Sequence, residues 1–188
     1  MMRIITGSAR GTKLKTLEGD STRPTAERVK EAVFSMIQFD IEGRRVLDLF
    51  AGSGQMGLEA LSRGASGAVF VDSNREACDV VRYNIAKTHF EDKSTVRCGD
   101  YAAYIRTAPA SERFDIVFID PPYDSHLPDR SLAKLLASPL LAEGAVIVME
   151  TGNEFDASAY PEVETLRKAK YAKTTYITVL RKKESDDE

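Results

Sequence analysis

The sequence contains no apolar segment of the length that a membrane protein needs. None of its hydrophobic runs approaches the roughly 20 residues of a membrane-spanning helix. The first five residues, Met1 to Ile5, also lack the apolar core of a secretory signal peptide. We therefore predict a soluble cytoplasmic protein. A length of 188 residues predicts one domain with a full hydrophobic core, with room for a small extension.

Cysteine and histidine are scarce, which limits the kinds of site that the chain can build. The two cysteines, Cys78 and Cys98, match no metal-ligand spacing, and we predict that both are reduced packing residues. The two histidines, His89 and His126, lie in no sequence context that suggests a catalytic triad. The sequence therefore predicts neither a metal site nor a triad.

The net charge of −3 is unevenly distributed along the chain. Residues 1–30 carry a local charge of +4, and the remaining 158 residues carry −7. A basic N-terminal segment on an acidic body suits contact with a phosphate backbone, although a solvated charged surface explains the charge equally well. The acidic residues at 183–188 predict a disordered tail.

From residue 45 onward, apolar runs of strand length alternate with helical segments. This is the pattern of βα units around a mostly parallel sheet, and the last two runs are too close together for a crossover helix, so they predict an antiparallel hairpin. Residues 3–17 alternate around two glycines like a small hairpin. The predicted strands are 45–50, 68–72, 95–99, 114–120, 145–150, 163–166 and 174–180, and the predicted helices are 26–37, 56–63, 74–89 and 131–137. The fold class is thus α/β, with a Rossmann-like seven-stranded sheet.

Four acids lie in or beside the ends of four successive predicted strands. They are Asp48, Asp72, Asp100 and Asp120, at separations of 24, 28 and 20 residues, each about one βα unit. In a parallel sheet all four lie along the carboxyl edge, where open α/β sheets bind their ligands. A single acid could be a turn residue, but four in order predict a site.

The loop after the first strand fits the pattern G-x-G-x-x-G at residues 52–57. Such a loop lets backbone approach a ligand and opens a helix, but it serves nicotinamide dinucleotides as well as S-adenosylmethionine. A dinucleotide motif usually places its glycines directly at the strand end, whereas here residues 48–51 intervene. That spacing resembles the acidic first motif of class I S-adenosylmethionine-dependent methyltransferases.

The resemblance implies a role for each residue along the edge. Asp72 would bind the ribose hydroxyls with Ser73 beside it, Asp100 would bind the adenine amino group, and Tyr101 would pack on the adenine ring. Carboxylates suit these tasks because they only accept hydrogen bonds and the ligand groups donate them. Asp100 could instead cap a helix. The predicted cofactor-binding residues of the first loop are Asp48, Phe50, Ala51, Gly52 and Gly54.

The tetrapeptide Asp120-Pro121-Pro122-Tyr123 follows the most apolar strand. Two prolines cannot continue a strand ladder, so they fix a rigid turn there. The tetrapeptide matches the signature Asp/Asn/Ser-Pro-Pro-Tyr/Phe/Trp of amino-group methyltransferases. The Asp120 carboxylate and the Pro121 carbonyl would each accept one N–H bond of a nucleobase amine, which aims the nitrogen lone pair at the methyl donor. The ring of Tyr123 would stack on the base.

Five further segments are distinctive: RIITG at 3–7, RPT at 23–25, RVKEAVF at 28–34, DLFAGSG at 48–54 and GLEALSRGA at 57–65. Together with the tetrapeptide they resemble one family, the RsmD-type 16S rRNA guanine-N2 methyltransferases, from Arg3 to about Leu180. The resemblance implies methylation of N2 of one guanine in small-subunit ribosomal RNA, within a 30S particle that already carries ribosomal proteins. We also predict that the protein is a monomer. It divides the chain into a basic hairpin and helix at 1–38, a methyltransferase domain at 39–182 and the tail.

The resemblance also gives the N-terminal cations a task, which is contact with RNA phosphates. Thr25 would lie near the methionine end of the cofactor, although capping of the following helix explains it equally well. The predicted RNA-binding residues are Arg3, Arg10, Lys13, Lys15 and Arg23.

Other functions remain open at this point. DNA or RNA adenine-N6 methyltransferases and protein glutamine-N5 methyltransferases use related signatures, but the glutamine enzymes typically carry Asn where this chain has Asp120. A non-catalytic RNA-binding assembly factor with the same fold would not need an intact tetrapeptide. A nicotinamide oxidoreductase would rest on the glycine loop alone.

Overall fold

The computed structural model describes residues 2–17, 24–122 and 126–184, in which helices cover both faces of one seven-stranded sheet. The helices are α1 (Pro24–Met36), α2 (Gln55–Ser62), α3 (Arg75–Thr88), α4 (Tyr101–Thr107) and α5 (Leu127–Leu136). The strands are β1 (Arg45–Asp48), β2 (Gly67–Asp72), β3 (Ser94–Cys98), β4 (Phe114–Ile119), β5 (Leu141–Thr151), β6 (Val163–Ala172) and β7 (Thr175–Lys182).

The strand order across the sheet is β3-β2-β1-β4-β5-β7-β6. Strands β1 to β5 are parallel, and β7 runs antiparallel to both of its neighbours. The predicted α/β class, the mostly parallel sheet and the C-terminal antiparallel hairpin are therefore confirmed. The order reverses between β1 and β4, which leaves a crevice at the carboxyl edge where a ligand can bind.

The central strand β4 is buried on both faces, as its continuous apolar sequence predicts. Phe118 belongs to the core on the side of α1, α2 and α3, and Val117 belongs to the core on the side of α4 and α5. Because β4 is packed between these two hydrophobic cores, it is held rigidly. The residues directly after it therefore leave the sheet from a fixed position.

Four elements differ by four residues or more from the sequence prediction. The seven-residue helix α4 was not predicted, α5 begins at Leu127 instead of 131, β5 begins at Leu141 instead of 145, and β6 continues to Ala172 instead of ending at 166. Strand β6 lies at the edge of the sheet and is exposed along most of its length. Its polar sequence therefore lacks the apolar pattern by which the inner strands were found.

The predicted N-terminal hairpin forms only in part. Residues 3–17 contain one antiparallel bridge, between Arg3 and Lys13, closed by a turn at residues 6–11. Ile4 and Leu14 are buried in the core on the α2 side. This N-terminal segment, residues 2–17, is thus a loop packed on the protein surface and not a pair of regular strands.

Both cysteines are free thiols, as the sequence predicted. Cys78 is buried, but Cys98 is exposed, so the prediction that both are packing residues is wrong for Cys98. In the described parts of the chain, none of the helices has the length and apolar character needed to cross a membrane.

Candidate active site

The four acids predicted to share one edge do so. Asp48 and Asp72 are the last residues of β1 and β2, Asp100 comes two residues after β3, and Asp120 directly follows β4. The four strands are adjacent and parallel, so their carboxyl ends meet at one edge of the sheet. The four acids therefore form a row along this edge, in the spatial order Asp100, Asp72, Asp48 and Asp120.

Asp48 lies beneath the glycine loop and is almost completely buried. Its Oδ2 accepts a hydrogen bond from the backbone N–H of Gly57, at 3.1 Å. Burial raises the pKa of this carboxyl group to about 7, and the nearby charge of Asp72 adds to the effect, whereas the Gly57 N–H opposes it. Asp48 therefore titrates near neutral pH and can present either a neutral or an anionic group to the loop.

Asp72 holds the same loop from the neighbouring strand. Its Oδ2 accepts the N–H of Gly52 and its Oδ1 accepts the N–H of Asn74, both at 2.8 Å. Asn74 in turn caps α3 through its side chain, which accepts the N–H of Glu76. A carboxylate has about four acceptor positions, so Asp72 keeps capacity for ligand hydroxyls. Ser73 is exposed beside it.

Two glycines shape the loop for different reasons. Gly54 has φ +78°, a left-handed conformation that directs the chain into α2. At Gly57 the reason is space, because an added Cβ would lie 2.4 Å from the ring of Phe70 on β2. Gly57 therefore allows α2 to pack closely against the sheet, and with it fixes where the N-terminus of α2 meets the crevice.

Asp100 and Tyr101 lie at the start of α4. The Asp100 Oδ1 accepts the N–H of Ala103 at 2.9 Å, so Asp100 caps this helix, as one of its two interpretations predicted. The ring of Tyr101 contacts that of Phe50, with centroids 5.1 Å apart and planes tilted by 44°. Both rings are partly exposed, and they provide an apolar surface at the same edge as the acids.

The residues after β4 open directly onto this edge. Asp120 and Pro122 are exposed, and Pro121 is partly buried. The predicted stacking residue Tyr123 lies outside the described residues, and so do Arg23 and the side chain of Thr25. The structure brings Asp120 and Pro121 to the same edge as the loop and the other three acids.

A buried polar network, which the sequence analysis missed, attaches the N-terminal segment to α2. The Glu59 carboxylate has no exposed surface and accepts the N–H groups of Ile5 (2.8 Å) and Thr6 (3.0 Å). It also pairs with Arg63 at 2.9 Å and with Lys30 at 3.8 Å. Burial lowers the pKa of Lys30, whose ammonium also donates to the carbonyl of Arg3. Lys30 is therefore a structural cation, unavailable to RNA.

The cations predicted to bind RNA fall into two places on the segment. All four that are described, Arg3, Arg10, Lys13 and Lys15, are exposed. Arg10 lies in the turn at residues 6–11, which packs against Ser62 at the C-terminal end of α2, through the N–H of Ala9 for example. Since α2 is about 12 Å long, this turn is remote from the glycine loop at the other end of the helix.

The open end of the segment lies beside the glycine loop. The Nδ2 of Asn84 donates to the carbonyl oxygens of both Lys15 and Ser53, each at 2.9 Å. Arg3 forms an ion pair with Glu27 at 2.9 Å. Arg3, Lys13 and Lys15 are thus on the side of the segment that faces the crevice end of α2, and Arg10 is not.

The strand order with its antiparallel β7, the glycine loop and the row of acids define the Rossmann-like fold of class I methyltransferases. The solved structure of the yhhF protein from Escherichia coli superposes with a TM-score of 0.87 at 30% identity, over 98% of this chain and 99% of that one. An O-methyltransferase from Bacillus cereus, solved in complex with SAH, shares the fold with a TM-score of 0.66 at 18% identity, over 88% of this chain and 84% of that one.

The family model described as "Conserved hypothetical protein 95" matches residues 2–180. The chain is 32% identical over 178 residues to ribosomal RNA small subunit methyltransferase D of Haemophilus influenzae, which covers 90% of this chain and 88% of that protein. The chain therefore belongs to the family that this model describes. The resemblance to the RsmD-type methyltransferases that its sequence indicated is confirmed.

Proposed function

We propose that this protein transfers a methyl group from S-adenosylmethionine to the exocyclic N2 of a guanine in small-subunit ribosomal RNA. The observation that carries the proposal is the position of Asp120 and Pro121, which directly follow the rigid central strand β4 and open onto the edge that holds the glycine loop. The family supports the substrate class, since the Haemophilus relative is named for small-subunit ribosomal RNA.

The residues at the edge fit the proposed cofactor. Asp72 offers acceptors for ribose hydroxyls, and the Phe50–Tyr101 pair offers an apolar surface for a purine ring. Asp100 caps α4 with one oxygen, and its exposed carboxylate retains acceptor capacity for the adenine amino group. Gly52 and Gly54, with Ala51, would line the methionine part together with Asp48 and Thr25. When bound, the cofactor supplies an electrophilic methyl group.

The chain's own residues would act by orienting the amine. The lone pair of a guanine amino group is delocalised into the ring, which makes the nitrogen a poor nucleophile. With its two N–H bonds donated to the Asp120 carboxylate and the Pro121 carbonyl, the nitrogen would direct its lone pair out of the ring plane. The negative charge of Asp120 would stabilise the positive charge that develops on nitrogen.

Pro122 and Tyr123 would complete the site. Pro122 holds the turn, and the Tyr123 ring would stack on the guanine, which is worth roughly 1–3 kcal/mol per base. Such a site requires a base swung out of its helix. After transfer the nitrogen is acidic, so its proton can leave to Asp120 or water without a strong base.

The experiment is methyl transfer from labelled S-adenosylmethionine to three substrates: 30S particles lacking the modification, free 16S rRNA, and DNA. We expect label in the particles, and mass spectrometry of the digested RNA should find it in N2-methylguanine. Label in N6-methyladenine, or in DNA alone, would overturn the proposal. An inactive protein that still binds RNA but not S-adenosylmethionine would favour an assembly factor instead.

A further inference from the structure

The C-terminal hairpin carries a concentration of positive charge. Residues 165–183, which form most of β6 and β7, contain seven Lys or Arg and no Asp or Glu, in a chain whose net charge is −3. The cations are Arg167, Lys168, Lys170, Lys173, Arg181, Lys182 and Lys183. This surface is separate from the N-terminal segment, and none of its residues belongs to the site described above.

The pairing register places one end of the hairpin at the edge of the active site. Ile119, the residue before Asp120, pairs with Met149, which pairs with Thr178 of β7. Two residues nearer the carboxyl edge, Thr151 pairs with Tyr176. Tyr176 therefore lies two residues beyond the level of Ile119, on the side where β4 ends and Asp120 and Pro121 follow. Two strand spacings, about 10 Å, separate β4 from β7 at the level of Ile119.

Lys170 is the partner of Tyr176 on β6, and Lys173 is in the turn between the two strands. Both lysines are exposed. The Lys170 ammonium lies over the ring of Tyr176, 4.9 Å from its centroid, which favours a defined position for this cation. We name Lys170, Lys173 and Tyr176 the hairpin tip.

Three of the remaining five cations have carboxylate partners. Lys168 pairs with Glu154, Arg181 with Asp40, and Lys182 with Glu143. Among the residues that the structure describes, neither Lys170 nor Lys173 has a carboxylate partner of this kind. Lys182 pairs with Val163, the first residue of β6, and so lies at the opposite, amino edge of the sheet.

We propose that the hairpin tip binds the RNA strand beside the target nucleotide, with Lys170 and Lys173 in contact with its phosphates. This inference rests on the proposed function. The phosphates that flank a base held over Pro121 would pass over neighbouring strands at the same edge. There the tip places two positive charges that have no carboxylate partner among the described residues. Together with Arg3, Lys13 and Lys15, the tip would support the RNA from the other side of the crevice.

The test compares two charge-matched double variants on the same hairpin. K170A/K173A removes the two cations of the hairpin tip, and K182A/K183A removes two cations at the opposite edge of the sheet. For each protein, RNA affinity is measured against salt concentration with both free 16S rRNA and 30S particles, S-adenosylmethionine affinity is measured by calorimetry, and methyl transfer is measured under single-turnover conditions. Circular dichroism and thermal unfolding establish that each variant is folded.

We expect K170A/K173A to weaken RNA binding about tenfold, and to reduce the slope of log K against log salt by about 1.4–1.8, as the loss of two phosphate contacts requires. S-adenosylmethionine affinity should stay within twofold of the wild type, and K182A/K183A should stay within twofold in every measurement. Equal losses in both double variants would overturn the inference, since they would reflect net charge alone. An unchanged salt slope of K170A/K173A would also overturn it, since no phosphate contact would then have been lost.

Failure of the inference and failure of the proposed function give different results. If the wild-type protein methylates guanine and K170A/K173A binds RNA normally, only the inference fails. If the wild-type protein methylates no ribosomal RNA, the proposed function itself fails, whatever the variants do.

Discussion

The side chain of Asn84 is hydrogen-bonded to both backbone polar groups of Lys15. Its Oδ1 accepts the Lys15 N–H at 2.8 Å, and its Nδ2 donates to the Lys15 carbonyl at 2.9 Å. The same Nδ2 also donates to the carbonyl of Ser53 in the glycine loop. One buried amide therefore joins the N-terminal segment, α3 and the loop that we propose holds the cofactor.

Asn84→Ala should destabilise the protein by about 2–4 kcal/mol, because it leaves three backbone groups without their partner. It should also weaken S-adenosylmethionine binding, since the Ser53 carbonyl in the glycine loop loses its hydrogen bond from Asn84. Urea unfolding and calorimetry measure the two effects. Lys87→Ala, at an exposed position on the same helix, is the control and should change stability by less than about 0.5 kcal/mol. Similar stability of the two variants would refute this account of Asn84.

The pH dependence of stability should be changed by Asp48→Asn. The pKa of Asp48 is about 7 in the folded protein and about 3.9 in an unfolded chain, so the folded state retains a proton that the unfolded state loses as pH rises between these values. Wild-type stability should therefore fall across this window by up to about 4 kcal/mol, on the order of 1.4 kcal/mol per pH unit.

An amide at this position keeps an acceptor for the Gly57 N–H but does not titrate. The free energy of unfolding of Asp48→Asn should thus rise relative to wild type by about 2–3 kcal/mol between pH 5 and pH 8, as measured in urea at several pH values. A difference that stays constant across this range would show that Asp48 is ionised throughout.

Asp120 and Asp72 should separate the chemical step from cofactor binding. Asp120→Ala should lower kcat by roughly 10²–10³, the usual cost of losing one electrostatic partner of the transition state, with S-adenosylmethionine affinity nearly unchanged. Asp72→Ala should weaken S-adenosylmethionine binding about tenfold or more, because it removes the proposed ribose acceptor and releases the N–H groups of Gly52 and Asn74. Calorimetry and single-turnover methylation measure both variants, and equal effects on cofactor affinity would contradict this division.

Gly57→Ala should destabilise the protein by about 1–3 kcal/mol, the usual cost of forcing an extra methyl group into a packed core. The added methyl group would lie 2.4 Å from the Phe70 ring, and the helix α2 would have to move. Phe70→Leu in the same chain removes that ring and should recover part of the loss, which thermal unfolding of the single and double variants measures. Additive losses in the double variant would show that the close approach of Gly57 to Phe70 is not the cause.

The sequence predicted the parts of the fold that depend on local pattern. The inner strands are apolar runs, and the acids at their ends could be placed along one edge because each separation is about one βα unit. The tetrapeptide at Asp120 was found because two prolines after a buried strand are chemically unusual. These features lie within short segments and need no knowledge of distant contacts.

The features that the sequence did not predict depend on contacts between distant segments. Glu59 and Asn84 are polar residues in helices, and nothing near them indicates that residues 5, 6 and 15 cover them. Lys30 was counted with the basic N-terminal charge, although it is buried against Glu59. The second half of β6 was missed because an exposed edge strand carries no apolar alternation.

The attachment of the N-terminal segment also has a consequence for the order in which the chain is made. The hydrogen bond from the Lys15 N–H cannot form until Asn84, 69 residues further along the chain, has been synthesised. At 5–20 residues per second the ribosome needs roughly 3–14 s to add these residues. The first 17 residues are therefore synthesised well before Glu59, Ser62 and Asn84, their partners in α2 and α3. The surface that presents Arg3, Lys13 and Lys15 is complete only after α2 and α3 have been synthesised and packed, so a nascent chain cannot form this surface before residue 88 has been added.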